Sequence, residues 1–312
     1  MTSTLWREIA RKRNAYLFIA LFYIIFIVFM VYPIGYSLWL SFYNYNGIMA
    51  PQFVGWRNYL HALQDEGFRR ALANTAVFTV LTVVCSSVIA IFLALFLNQV
   101  RFLRQFYRGL FFVPAIVSLV VVSLVWKLML NSEVGLVNET VRVVGRWIGR
   151  LLGSTPAWAQ HKYHFLDHPN PWVPLLTVTF VNIWGVVGYN TVIYLAGLQS
   201  IPAHLYEAAR MDGASPIQQF FRVTLPLLRP TMFFVFLTTT IDSLQVFVLP
   251  SLMTPNSEAT MSIVYYLFRN AFEFYRMGYA SAIAYILFAL TVTLSLALRG
   301  TLGRNTRWDP EE

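Results

Sequence analysis

Long apolar segments separated by polar stretches dominate this 312-residue sequence. Six of them are long enough to cross a bilayer, because the hydrocarbon core takes about 20 residues of helix. They lie at roughly 15–40, 72–97, 107–130, 173–198, 231–252 and 280–299. In hydrocarbon every backbone N–H and C=O must be paired within its own segment, so each segment is predicted to be a helix. The pattern predicts an all-α membrane protein with six transmembrane helices.

Composition and charge agree with this fold class. Apolar residues make up 57% of the chain and charged residues 12%, whereas a soluble domain has about 25% charged residues. The net charge of +9 does not indicate a nucleic-acid partner, because many of the cations cluster at alternate ends of the predicted spans. These residues are Arg7, Arg11, Lys12, Arg13, Arg101, Arg104, Arg108, Arg210, Arg222, Arg229, Arg299, Arg304 and Arg307. The positive-inside rule then predicts that both termini and the 207–230 stretch are cytoplasmic.

The first span is expected to be a retained anchor, because its apolar stretch is too long for a signal peptide and lacks a small-x-small cleavage site. The long polar stretch 131–172 is predicted to be a loop on the outside. The next outside stretch, 253–279, is predicted to hold a turn and then a short amphipathic helix on the membrane surface.

The polar stretch 207–230, which reads EAARMDGASPIQQFFRVTLPLLRP, lies between two predicted spans. Residues 205–211 are predicted to form a short helix with small side chains on part of its surface, which would let another backbone approach closely. Gly213 can adopt the positive φ that ends a helix. Such a helix is suited to contact a partner outside the membrane.

The spacing within this stretch carries a family resemblance. Glu207-Ala208-Ala209, then Gly213 after three residues, then Leu225-Pro226 after eleven more, resemble the cytoplasmic coupling loop of permease subunits of binding-protein-dependent ABC importers. The resemblance covers about 15–300 and includes FVGWRNY at 53–59 and the segments 111–138, 180–202 and 277–288. It is strongest for the carbohydrate class, which carries maltose, other oligosaccharides or glycerol-3-phosphate. The chain departs from the family at Thr254-Pro255-Asn256-Ser257, where a T-G-G-G-P turn is common, and in a longer 139–172 loop.

The resemblance implies a domain organisation and a set of partners. It implies a cytoplasmic segment at 1–14, a six-helix permease domain at 15–300 that includes a coupling loop at 199–230, and a cytoplasmic tail at 301–312. The expected location is the cytoplasmic membrane of a bacterium or archaeon, where the multi-pass chain contacts the lipid bilayer. The expected partners are a second permease, two copies of an ABC ATPase and an extracytoplasmic substrate-binding protein. Together the two permeases would form the pathway for a sugar or a polyol phosphate.

This chain is not expected to be an enzyme or to hold a cofactor. It has no G-x-x-x-x-G-K-[ST] phosphate loop, so ATP and Mg²⁺ are expected on the partner ATPase. The histidines His161, His164 and His168 match no strong zinc spacing, and no metal site is expected. The resemblance assigns coupling to the ATPase to Glu207, Ala208, Ala209, Asp212, Gly213, Leu225 and Pro226.

Polar residues inside the apolar segments are candidates for the substrate path, because an ionisable group at membrane depth usually faces a cavity or a partner. The candidates are Asn182, Trp184, Thr239, Asp242 and Ser243. Amide, hydroxyl and carboxylate groups bond sugar hydroxyls, and an aromatic face stacks on sugar C–H groups. The alternative is that these side chains join neighbouring helices, as Ser, Thr and Asn often do in membranes. A different function class, an ion-coupled secondary transporter, would need paired carboxylates or an inverted repeat; the spans hold one Asp and no clear repeat. The identity of the sugar, and which of the two permeases holds it, stay open.

Overall fold

Helices make up most of the structure, a computed structural model that describes residues 13–99, 104–154 and 156–302. The helices are α1 (Arg13–Phe26), α2 (Tyr32–Leu40), α3 (Arg57–Gln64), α4 (Glu66–Gln99), α5 (Arg104–Ile116), α6 (Leu119–Met129), α7 (Leu136–Leu152), α8 (Ala157–Gln160), α9 (Trp172–Gln199), α10 (Ala203–Met211), α11 (Pro216–Gln219), α12 (Leu225–Leu227), α13 (Arg229–Leu244), α14 (Val248–Met253), α15 (Ile263–Phe268) and α16 (Met277–Leu302). Short π-helical turns occupy Ile27–Val31, Phe220–Thr224 and Arg269–Glu273. Two short strands, β1 (Tyr43–Asn44) and β2 (Gln52–Phe53), pair antiparallel.

Five stretches of the described chain are long and apolar enough to cross a membrane as single spans. They are Phe18–Leu40, Glu66–Gln99, Trp172–Gln199, Arg229–Met253 and Met277–Leu302. They correspond to five of the six predicted segments, which confirms the fold class. The second of these spans, α4, begins six residues before the predicted segment 72–97. With 34 residues it is about 50 Å long at 1.5 Å per residue, which exceeds the ~30 Å hydrocarbon core.

The third predicted span, at 107–130, differs from a single continuous helix. Gly109–Ile116 and Leu119–Met129 are bent by 98° relative to each other. Ser118 between them has an extended backbone, with φ −53° and ψ 128°, so the helical hydrogen bonds cannot continue through it. Pro114 lies inside the last turn of α5 and has no N–H to donate, which weakens the helix just before the break.

Residue contacts divide the chain into two compact units. The first comprises the described residues up to Asp65 together with Leu267–Ile286. In it, Asn58 ties the end of α2 to the strand pair, because its Nδ2 donates to the carbonyls of Ser41 (2.8 Å) and Tyr43 (3.0 Å). The hydroxyl of Tyr279 in α16 donates to the carboxylate of Asp65 at 2.6 Å. Hydrogen bonds between distant parts of the sequence therefore hold this unit.

The second unit comprises Glu66–Tyr266 and the described residues from Leu287 onward. Its centre is α9, which packs against α4, α5 and α13. The buried amide of Asn190 donates to Ser86 in α4 (3.2 Å) and to Thr239 in α13 (3.3 Å). Apolar residues surround this junction; they include Ala90, Ala94, Leu97, Tyr194, Leu195, Leu198 and Val235. A small polar network inside an apolar core thus joins three helices, as is common in membrane bundles.

The predicted surface helix in the 253–279 stretch is only partly as expected. A helix does form, as α15, but Ile263 and Tyr265 at its start are buried. Tyr265 belongs to an apolar contact with Ala71 of α4, and the N–H of Ile263 donates to the hydroxyl of Thr75 at 3.0 Å. The start of this helix therefore packs into the protein, at a site formed by the hydroxyl of Thr75 and the small side chain of Ala71, and its location on the membrane surface stays a prediction.

The close crossing of α9 and α5 depends on one glycine, and we expect Gly188→Ala to destabilise the protein. A Cβ at Gly188 would overlap the carbonyl of Phe111, and overpacking of this kind costs about 1–3 kcal/mol. Gly185→Ala is the matched control on the same helix, because no atom lies within 4 Å of a Cβ there. Thermal unfolding in detergent should show a lower midpoint for the first variant alone. Equal midpoints for the two variants would show that this crossing tolerates a methyl group.

Candidate functional site

The helix predicted in the 207–230 stretch is present as α10, and its carboxyl end has a defined geometry. Gly213 has φ +75°, as the sequence predicts for the residue that ends this helix. The N–H of Gly213 donates to the carbonyl of Arg210 (3.0 Å), and that of Ala214 donates to the carbonyl of Ala209 (2.9 Å). This pair of bonds is a Schellman motif, which satisfies the last carbonyls of a helix and turns the chain sharply.

The chain after this turn is held by side-chain hydrogen bonds. Ser215 and Gln218 form a capping box at the start of α11, with bonds of 2.8 and 3.3 Å. Gln219 donates to the carbonyl of Ala214 at 2.9 Å. The hydroxyls of Tyr206 and Thr224 lie 3.1 Å apart and connect α10 to the turn that precedes α12. The short helices therefore form a pre-shaped unit, which we call the hook (203–227).

The predicted coupling residues occupy two parts of the hook. Glu207, Ala208, Asp212 and Gly213 are exposed, and Ala209 is half-buried, so five of the seven lie on or just after α10. Leu225 and Pro226 lie in α12 and are half-buried. The structure therefore places the last two at the connection to α13 rather than on the exposed helix.

Sequence reasoning missed three apolar side chains on the hook. Met211 is 88% exposed, Ile217 71% and Phe221 60%. The signal for the last two was their spacing of four residues, which places both on one helical side. Beside them is a groove of about 680 Å³ between the hook and the ends of α4 and α9. Its lining includes Leu95, Asn98, Tyr206, Arg210 and Phe220. Large exposed apolar side chains beside a groove are typical of a protein interaction surface.

The candidate path residues on α13 point in different directions. Asp242 is exposed and lies on one helix face with Phe234 and Thr238, at intervals of four residues, and Gln245 adjoins them. Within the part of the chain that the structure describes, no partner faces the Asp242 carboxylate. We call Phe234, Thr238, Ile241, Asp242 and Gln245 the outward face of α13.

Thr239 and Ser243 do not belong to this face. Both are buried, with 5% and 2% of their surface exposed. Thr239 accepts the hydrogen bond from Asn190 described above. The structure therefore favours helix joining for Thr239 and places Ser243 in the core, whereas Thr238 and Gln245, which sequence reasoning did not select, share the exposed face with Asp242.

The two candidates on α9 also differ in their surroundings. Asn182 is half-buried, and its amide lies 3.4 Å from the hydroxyl of Thr82 in α4. Trp184 is exposed and packs edge-on against Trp126 of α6, with 5.6 Å between ring centroids. Phe180 contacts the same Trp126 ring at 5.8 Å. Trp184 therefore belongs to an exposed aromatic cluster, and Asn182 to a contact between helices.

No group of three potential metal ligands occurs within the described residues. His164 pairs with Asp167 at 3.2 Å, and the Asp167 side chain is exposed while that of His164 is half-buried.

Comparison with known proteins gives consistent results. The sequence pattern of the family described as "Binding-protein-dependent transport system inner membrane component" matches residues 86–307. The chain is 33% identical to the lactose transport system permease protein LacF of Rhizobium radiobacter, over 90% of this chain and 91% of that protein. A crystal structure of a bacterial ABC transporter that imports the acidic polysaccharide alginate superposes with a TM-score of 0.79 at 25% identity, covering 97% of this chain and all of that chain. A second structure, of a bacterial alginate ABC transporter in complex with an alginate pentasaccharide-bound periplasmic protein, gives 0.75 at 25% identity, with coverage of 95% and 96%.

Proposed function

This chain belongs to the family of binding-protein-dependent transport system inner membrane components, a family of ABC importer permeases, and we propose that it forms half of the membrane pathway of a sugar importer. It is a multi-pass membrane protein and a transport component rather than an enzyme. The lactose and alginate proteins to which it is similar support a carbohydrate substrate. The substrate class proposed here is an oligosaccharide or a sugar or polyol phosphate.

The observation that carries the proposal is the exposed, pre-shaped hook. Its hydrogen bonds hold α10 in one orientation, so little conformational entropy would be lost when a partner binds. We propose that α10 and the exposed Met211, Ile217 and Phe221 dock against a cytoplasmic ABC ATPase. The ATPase, present in two copies, would bind ATP and Mg²⁺. Glu207 and Asp212 on the exposed side would pair with basic groups of that subunit.

The outward face of α13 supports a second permease as partner. An ionised carboxylate at membrane depth is unfavourable in lipid by at least about 2.5 kcal/mol on insertion scales. Asp242 would avoid this cost if a second permease enclosed a water-filled pathway beside it. We therefore place the pathway along the outward face of α13, with Trp184 as a further candidate for contact with the sugar.

The orientation and the outer partner follow from the same proposal. With the hook in the cytoplasm, an even number of spans places both termini on that side as well. An extracytoplasmic binding protein would then deliver the sugar to the opposite face. The alginate transporter complexed with its periplasmic protein supports such a partner.

We expect transport by alternating access, and flux measurements test it. In vesicles that contain the assembled transporter, labelled sugar should accumulate only under two conditions. ATP must be present on the side of the membrane where the ATPase binds, and the binding protein must be present on the opposite side. A ligand shifts a conformational equilibrium only if it binds one state more tightly, so neither component alone should produce uptake. Sugar flux without ATP, or without the binding protein, contradicts the proposal. A panel of disaccharides, longer oligosaccharides and glycerol-3-phosphate in the same assay would identify the substrate.

A further inference from the structure

Helix α7 has one face that packs against the protein. Asn138, Gly145 and Gly149 are buried on this face. A Cβ at Gly145 would overlap the side chain of Ala159 in α8, so the two helices approach closely. The amide of Asn138 donates to the carbonyl of Tyr163 (2.9 Å), and its oxygen accepts from the N–H of Tyr163 (3.0 Å). This side of α7 is therefore fixed to the following segment.

The opposite face of α7 is apolar and exposed. Leu136, Val143, Trp147 and Leu151 recur at intervals of seven and four residues, which align them along one side of a helix. Trp147 is 65% exposed and Leu151 70%. Water is an unfavourable environment for four large apolar side chains on one side of a helix, so the face needs another surface.

A row of arginines borders the apolar face. Arg142, Arg146 and Arg150 follow one another at intervals of four residues. Glu139 lies in the same row and pairs with Arg146 (3.0 Å) and Arg142 (3.6 Å), so the row has a net charge of +2. Arg150 at its end is exposed. Guanidinium groups bind phosphate in a two-bond geometry.

The turn before α7 holds the helix close to the end of an apolar segment. Helix α6, which completes the third apolar segment, ends at Met129, only seven residues before Leu136. The side chain of Asn131 accepts from the N–H groups of Glu133 (2.9 Å) and Val134 (3.1 Å). Lys162 bonds Glu133 at 2.7 Å and lowers the pKa of that carboxyl group, so the contact stays ionised at neutral pH. Helix α7 therefore starts close to the end of an apolar segment.

From these observations we propose that α7 lies flat in the headgroup region of the leaflet that the carboxyl end of α6 reaches, with its apolar face toward the acyl chains and its arginines on anionic lipid phosphates. An apolar row that carries Trp and Leu, bordered by cations, is typical of helices that bind membrane surfaces. Trp is favoured at this depth because its ring is amphipathic. Charge complementarity identifies the occupant as anionic phospholipid. This inference goes beyond the proposed transport function and does not depend on the orientation of the chain.

The depth of individual positions tests the proposal in the full chain within its assembled transporter. Cys85, the single cysteine of the sequence, is replaced by Ser, and a nitroxide label is attached at Val143→Cys or Leu151→Cys. Glu139→Cys on the polar side of the same helix is the matched control. The bilayer discs contain phosphatidylethanolamine and phosphatidylglycerol. In them, oxygen should accelerate the spin relaxation of the labels at residues 143 and 151 several-fold more than a water-soluble nickel chelate does. The label at residue 139 should show the reverse preference.

A triple variant, Arg142→Gln, Arg146→Gln and Arg150→Gln, tests the role of charge. The label at residue 143 should become several-fold more accessible to the nickel chelate in phosphatidylglycerol discs and should not change in phosphatidylcholine discs. Arg57→Gln, a cation in α3, should have no effect in either lipid. Size-exclusion profiles of the purified complexes verify assembly of each variant.

Two outcomes overturn the proposal. One is equal access of the nickel chelate to residues 139, 143 and 151 in all discs. The other is protection of residues 143 and 151 only after the binding protein is added, which would identify the face as a protein-docking surface.

Discussion

Gly213→Val is expected to reduce transport about tenfold or more while the protein still inserts and folds. The wild-type residue has φ +75°, and a side chain in this left-handed region costs about 1–2 kcal/mol, which corresponds to roughly tenfold in an equilibrium. The space around the position is open, since a Cβ there would meet no atom within 4 Å. The effect is therefore expected to come from the backbone turn that orients α10. ATPase copurification and ATP hydrolysis coupled to uptake are the measurements.

Two further substitutions separate backbone strain from other causes. Gly153→Val introduces the same residue at φ +76°, also after a helix end and also in open space, but away from the hook. It should leave ATPase copurification unchanged. Gly213→Asn adds similar bulk, but Asn tolerates the left-handed region better, so it should retain most of the coupling. If Gly213→Val assembles and transports like the wild type, the proposed docking of the hook is wrong.

The long helices could be predicted from the sequence because a run of about 20 apolar residues has one stable arrangement in hydrocarbon. The bend in the third segment could not, since Ser118, where the helix breaks, is a single small polar residue within the apolar run, and only Pro114 signals a weak turn. Helix α7 was predicted as part of a loop, because its polar residues interrupt the apolar run. Its signal was the interval of four residues between Arg142, Arg146 and Arg150.

The sequence predicts some features of the candidate sites and not others, because only some of them follow from a local pattern. The positive φ of Gly213 is a local rule of helix ends, so the sequence is sufficient to expect it. The exposure of Met211 depends on the path of the hook, which no local pattern specifies. Asp242 and Ser243 are adjacent in sequence, but successive helix residues point about 100° apart. A list of neighbouring polar residues therefore does not show which of them share a face.

Substitutions on the outward face of α13 and substitutions on its buried side are expected to have different effects. Asp242→Asn preserves size and removes the charge from the outward face, and we expect normal assembly with an altered response to substrate. Gln245→Ala, on the same face, should act in the same direction. Thr239→Val removes a hydrogen-bond partner from Asn190 within the core, and an unsatisfied buried polar group costs about 1–3 kcal/mol. That variant should lower the yield and thermal stability of the complex instead.

Three measurements on each of the three variants distinguish these roles. They are transport, sugar-stimulated ATP hydrolysis, and the yield of complex after detergent extraction. A path-lining carboxylate is indicated by normal yield of Asp242→Asn with at least a several-fold change in the sugar concentration that stimulates hydrolysis half-maximally. If Asp242→Asn keeps both yield and substrate response, the carboxylate does not line the path. If it fails to assemble, as Thr239→Val is expected to do in part, Asp242 contacts a helix of the second permease, and the charge stabilises the pair of permeases rather than the sugar.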